Sequence, residues 1–260
     1  MMLLDQGIKK MAKIFSVSNH KGGVGKTTST INIGAAIALK NYKVLLVDLD
    51  PQANLTQSLG IKNVEITIYE NLRGEKTVHP IEVKKNLYVL PSSLDLSAAE
   101  IELSSEPGRE YILKDILNTQ KEKFDYILID CPPSLGLLTI NALTASDFVI
   151  IPLQAEYLPL RGLAKLNDVI NKIKSRLNPN LEIGCVFLTQ YDPRKVLNRD
   201  VAESVKDFFG EKLLKTKISS NIALAEAPSQ GKDIFLYNKA CKGASDYNDL
   251  CNELFDKKVA

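Results

Sequence analysis

Lys21-Gly22-Gly23-Val24-Gly25-Lys26-Thr27-Thr28 lies between a strand-like stretch, Lys13 to Ser18, and a helical pattern running from Thr28 to Lys40, and its reading decides the fold. The glycines let the backbone curl until successive N–H groups converge on phosphate oxygens, and the N-terminus of the following helix adds its dipole. Lys26 supplies a point charge for β- and γ-phosphates, and the Thr27 hydroxyl is a ligand for Mg²⁺. A nucleoside triphosphate with Mg²⁺ is therefore expected, cradled by Lys21, Gly22, Gly23, Val24, Gly25, Lys26, Thr27 and Thr28. The general pattern G-x-x-x-x-G-K-[ST] asks for glycine at position 20. This chain has His20 there and a second lysine, Lys21, at the loop entrance.

Outward from the loop, continuous apolar runs recur at 43–49, 125–129, 147–153 and 181–189. Runs that do not alternate are expected of strands covered on both faces, as in a parallel sheet. Helical spacing fills the intervals, as in Leu160, Leu163, Leu166, Val169, Ile170, Ile173 and Leu177. Strand then helix, repeated, predicts an α/β fold: a doubly wound, mostly parallel sheet with helices on both faces. Ligands in such sheets sit at the carboxyl ends of the strands. Asp48-Leu49-Asp50-Pro51-Gln52 ends one strand there, and Asp130 ends another, stopped by Cys131-Pro132-Pro133. An aspartate at a strand end beside a phosphate loop organises the magnesium shell, which suits Asp130, with Asp48 as a second candidate. Asp50, two residues on and so expected on the same strand face as Asp48, is the candidate for orienting the attacking water.

The chain has 260 residues, 45% hydrophobic and 25% charged, which fits one globular α/β domain over 12–260. Residues 1–11 read as a loose extension, because Met11-Ala12-Lys13 directly precedes the first strand. No apolar run approaches the roughly 18 residues that span a bilayer. Met1-Met2-Leu3-Leu4 meets Asp5 and Gln6 too soon for a signal-peptide core, so the expected location is the cytoplasm. Cys131, Cys185, Cys241 and Cys251 form no C-x-x-C pair and no zinc spacing, and are expected to be reduced packing residues. A net charge of only +2 confines any nucleic-acid binding to local patches. Residues 194–217 carry seven basic side chains against four acidic ones.

The phosphate loop and the two aspartate motifs, with Pro152-Leu153-Gln154, Glu156-Tyr157, Glu226-Ala227-Pro228-Ser229 and Gly231-Lys232, resemble the ParA/Soj chromosome- and plasmid-partitioning ATPases from about Ala12 to Phe255. The resemblance implies a P-loop ATPase of the deviant Walker A type, slow and partner-stimulated. Lys21 would be the signature lysine that crosses to a second subunit's ATP, closing an ATP-dependent homodimer, and Asp50 would position the attacking water. Asn221 would lie near the adenine. The dimer would bind double-stranded DNA without sequence preference, would be nucleoid-associated and not membrane-bound, and would be released by a ParB/Spo0J-type centromere-binding protein.

One departure concerns the DNA face. The family arginine after the strand ending at Asp192 is matched by Arg194, but a Pro-Arg-Asn-Val-Arg segment is replaced by Ser219-Ser220-Asn221-Ile222-Ala223. DNA binding would then fall to Arg194 with Lys195, Arg199, Lys215, Lys217 and Lys232. Two other functions share the cradle. A MinD-like regulator of division-site placement would end in a basic amphipathic helix, whereas this chain ends Phe255-Asp256-Lys257-Lys258-Val259-Ala260. A small-molecule ATP-dependent enzyme would need a second substrate pocket and no crossing lysine.

Overall fold

The apolar runs become the centre of a seven-stranded sheet in the computed structural model, which describes residues 11–156 and 160–260. Residues 1–10 of the expected extension, Tyr157, and the side chains of Leu160 and Leu163 lie outside the described residues. The strands are β1 (Lys13–Val17), β2 (Val44–Asp48), β3 (Ile81–Lys84), β4 (Leu87–Leu90), β5 (Tyr126–Asp130), β6 (Phe148–Gln154) and β7 (Glu182–Thr189). Their order across the sheet is β3-β4-β2-β5-β1-β6-β7, and all neighbours are parallel except the β3–β4 pair. The α-helices are α1 (Lys26–Leu39), α2 (Asn54–Ser58), α3 (Ile68–Leu72), α4 (Ala99–Glu102), α5 (Ile112–Asn118), α6 (Leu137–Ala145), α7 (Leu160–Arg176), α8 (Val196–Phe209), α9 (Ile222–Glu226), α10 (Ile234–Asn238) and α11 (Lys242–Asp256).

Alternation along the strands sends neighbouring side chains to opposite faces. Phe15, Val17, Leu46, Leu128, Ile150 and Phe187 pack with α1 and α11 on one face. Ile14, Leu45, Val47, Ile127 and Ile129 pack with α3, α5 and α6 on the other, and Val149, Ile151, Val186 and Leu188 extend that layer under α7 and α8. Helix α1 is sandwiched so closely that a Cβ on Gly34 would lie 2.6 Å from Leu46 Cδ2. Glycine there lets the helix settle on β2, fixing the height at which its N-terminus meets the sheet edge.

The chain leaves β1 toward β2 on one side, and β6 and β7 lie on the other, so the strand order reverses at β1. That switch point is where open α/β sheets form their ligand crevice. The β3–β4 hairpin has no counterpart among the apolar runs. Ile81-Glu82-Val83-Lys84 is a short, half-charged edge strand, and Asn86 turns the chain at φ 67°.

Candidate nucleotide site

The loop after β1 is held so that its carbonyls face the protein and its N–H groups remain available. The Lys26 ammonium donates to Lys21 O at 3.0 Å, Gln190 Nε2 to Gly23 O at 3.0 Å, and the Thr189 hydroxyl to Val24 O at 2.9 Å. Because each peptide is planar, a carbonyl turned outward turns the following N–H inward. Gly23 and Gly25 take φ 73° and 87°, left-handed values that glycine adopts without strain. Gly25 also caps α1, whose N-terminus receives no side-chain cap and has no acidic residue in its first turn. A free helix N-terminus below a ring of N–H groups, with Lys26 beside it, fits a polyphosphate.

Lys26 is buried, 7% exposed, and burial lowers its pKa while Asp130, Cys131 and Asp50 act in the opposite sense. Asp130 and Asp48 stand side by side in the β2–β5 register, both at 0% exposure. Burial pushes both carboxyl pKa values upward, and their mutual repulsion adds to the shift of Asp130. Thr27 Oγ1 donates to Asp130 Oδ2 at 2.7 Å, bringing together the two residues expected at the magnesium shell. Among the described residues, no group of three or more His, Cys, Asp or Glu could hold a metal by itself. Mg²⁺ at Thr27 would complete its shell with phosphate oxygens and water, the arrangement this ion favours.

Asp50 lies beyond the strand on which the sequence expectation placed it with Asp48. Strand β2 ends at Asp48, and Asp50 opens a turn. The Asp48 carboxylate is occupied by Thr56, whose N–H and hydroxyl donate to Oδ2 at 2.9 and 2.7 Å. Thr56, and Ser92, which donates to Asp50 O at 2.9 Å, carry no signal in the sequence that marks them as neighbours of this site.

Lys21 points away from the Lys26 position. Its Nζ donates to Gln154 Oε1 at 3.3 Å and lies 3.8 Å from Glu156 Oε2, while its N–H donates to Asn19 Oδ1 at 3.0 Å. Gln154 Nε2 donates onward to Gln190 Oε1 at 2.9 Å, so the ends of β6 and β7 grip both sides of the loop. His20, where the general pattern has glycine, keeps its Nδ1 buried without a partner among the described residues. Burial first, then Lys165, Lys26 and Lys21, lowers its pKa.

A cavity of about 380 Å³ opens beside the loop, lined by Gly25, Thr28, Gln190, Ser219, Asn221 and Tyr247. Asn221 does two jobs there: it lines the cavity, and its Oδ1 accepts from Ala223 N–H at 2.9 Å to cap α9. Tyr247, its floor from α11, is held by Ser29 at 3.0 Å, a pairing that the sequence does not announce.

The basic residues split into neighbourhoods. Arg194, Lys195 and Arg199 lie where β7 passes into α8, and the Lys217 ammonium sits 4.1 Å from the Tyr191 ring centroid. The Arg194 guanidinium is bidentate to Asp192, at 3.0 and 2.9 Å, and holds the Asp192 carboxyl down at about 2. Lys215 and Lys217 share a cavity with Lys206 and Lys257. Lys232 belongs elsewhere, on the turn whose Gly231 packs against Gly60.

Residues 12–183 match the family described as AAA domain. The chain is 48% identical to the sporulation initiation inhibitor protein Soj of Bacillus subtilis, over 94% of this chain and 98% of that one. It is 43% identical to the chromosome partitioning protein ParA of Myxococcus xanthus, over 97% and 91%. Among solved structures, cobyrinic acid a,c-diamide synthase from Mycobacterium smegmatis with bound ADP and magnesium superposes with a TM-score of 0.84 at 35% identity, covering 96% of each chain. That structure shows the fold accommodating a nucleotide and magnesium in an enzyme with different work to do, whereas relatives of higher identity include the chromosome partitioning protein ParA of Myxococcus xanthus. The chain belongs to the ParA/Soj family of chromosome- and plasmid-partitioning ATPases.

Proposed function

We propose that this protein is an ATP-switched DNA carrier. Mg·ATP joins two copies through Lys21, the pair holds DNA by its phosphates, and a ParB/Spo0J-type partner stimulates hydrolysis and release. The observation that carries this reading is the division of labour between two lysines in one loop. Lys26 is buried against the loop's own carbonyl, while Lys21 is turned outward with its side chain 42% exposed. Its ion pair with Glu156 is surface-exposed, and exposed pairs of this kind contribute little, on the order of 0–1 kcal/mol. A polyphosphate brought by a second copy would therefore displace it readily. Lys21→Gln is expected to keep single-subunit nucleotide affinity and to lose partner-stimulated turnover. Mixed dimers carrying one altered lysine check whether it acts in trans, and full stimulated turnover in the variant contradicts the assignment.

DNA binding is supported by the cations at the start of α8 and at Lys217, with no base-reading motif among them. Binding through phosphate alone would make affinity independent of sequence and steeply dependent on salt. Asp192 neutralises part of Arg194, so Lys195, Arg199 and Lys217 carry a larger share than the sequence alone assigns them. Arg194→Glu is expected to weaken binding equally for unrelated sequences. It should also flatten the slope of log K against log salt by about 0.9 for each phosphate that the variant no longer neutralises, measured by fluorescence anisotropy. An unchanged slope removes Arg194 from the DNA face.

No helix among the described residues is long and apolar enough to cross a membrane. The final residues fold back on the domain: Val259 is 9% exposed and its N–H donates to Leu254 O at 3.0 Å.

A further inference from the structure

Asp50 stands on a turn, and a carboxylate on a turn keeps its place only if the backbone beneath it is tied down. A closed ring of hydrogen bonds ties it. Asp50 N–H donates to Asp48 Oδ1 at 3.3 Å, and Asp48 Oδ2 accepts the Thr56 hydroxyl at 2.7 Å. The same Thr56 oxygen accepts Ser92 N–H at 3.0 Å, and the Ser92 hydroxyl donates to Asp50 O at 2.9 Å, closing the ring. Asp48, Asp50, Thr56 and Ser92 are 0%, 7%, 4% and 4% exposed. Asp50 is thus held at both its N–H and its carbonyl.

Two features show that the ring does more than fill space. The turn contains Ala53 at φ 52°, left-handed backbone that a non-glycine residue keeps only where its surroundings impose it. Among the described residues, the Asp50 carboxylate takes one hydrogen bond, from Gln52 N–H to Oδ1 at 2.9 Å. Its Oδ2 is thereby left for a water. Ser92 follows β4, a strand separated from β1 by both β2 and β5.

We propose that Ser92 and Thr56 are positioning residues for hydrolysis, fixing the Asp50 carboxylate for the attacking water without touching the nucleotide. The inference rests on the reading of Asp50 as the water-orienting group. Displacing a catalytic group by a fraction of an ångström lowers turnover while leaving ground-state binding alone.

The test is single-turnover hydrolysis of Mg·ATP by Ser92→Ala, Asp50→Ala and the double variant, with nucleotide affinity measured by calorimetry and ATP-dependent dimerisation by size-exclusion chromatography. Ser92→Ala is expected to lose about tenfold or more in rate, with affinity and dimerisation unchanged. The double variant is expected to be no slower than Asp50→Ala, because Ser92 acts through Asp50. Full rate in Ser92→Ala, a loss that multiplies with that of Asp50→Ala, or a loss of nucleotide affinity overturns the proposal. Full rate in Asp50→Ala overturns the underlying reading as well, so the two failures are distinct. If Ser92→Ala does not fold, Thr56→Val and Thr56→Ser decide. The valine variant is expected to be slow and the serine variant, which keeps the hydroxyl, to retain the rate; equal rates overturn the proposal.

Discussion

Lys26→Ala is expected to abolish measurable Mg·ATP binding. The ammonium is the one loop cation buried against the phosphate cradle, with its Nζ on Lys21 O at 3.0 Å. Burial disfavours its charge, and phosphate oxygens in the cradle would restore what water no longer supplies. A charge-assisted set of hydrogen bonds in a largely water-excluded site is worth several kcal/mol, on the order of 3–4. Removing it weakens affinity by about two to three powers of ten. Calorimetry of the variant against the unmodified protein reads this directly, and near-native affinity places the nucleotide elsewhere. The variant should still fold, because the hydrogen bonds to Gly23 O and Val24 O come from Gln190 and Thr189.

Asp50→Ala is expected to separate binding from hydrolysis. Asp50 has no hydrogen bond to Lys26, Thr27 or the loop backbone among the described residues, so nucleotide and magnesium should be retained. Removing the group that orients water should lower turnover by about 10²-fold or more. The protein should then accumulate as an ATP-bound dimer on size-exclusion chromatography. A variant that stays monomeric with ATP, while the unmodified protein dimerises, gives Asp50 a role in assembly instead.

What was legible in the sequence followed from local chemistry. The Gly-Lys-Thr-Thr run fixed the loop and the start of α1 because glycine freedom and a helix N-terminus are read within a few residues. The continuous runs at 125–129 and 147–153 emerged as β5 and β6 because strands buried on both faces leave no polar alternation. Thr27 comes within hydrogen-bond reach of Asp130 because β5, which ends at Asp130, lies beside β1. What stayed hidden was assembled from distant stretches. Ser92 reads as an ordinary residue after a strand until β4 comes to lie beside β2. Thr189 and Gln190 look like the tail of an apolar run until β7 carries them under Gly23 and Val24. The pairing of Arg194 with Asp192, two residues apart, was within reach of the sequence and reduces the charge that composition assigned to the DNA face.

ATP turnover measured alone, with DNA, with the ParB-type partner, and with both tests the central claim most directly. A DNA carrier switched by its own nucleotide should turn over slowly alone and respond most when DNA and partner are present together, with Lys21→Gln abolishing that response. A rate indifferent to DNA and partner, or one raised by a small-molecule acceptor in their absence, contradicts it.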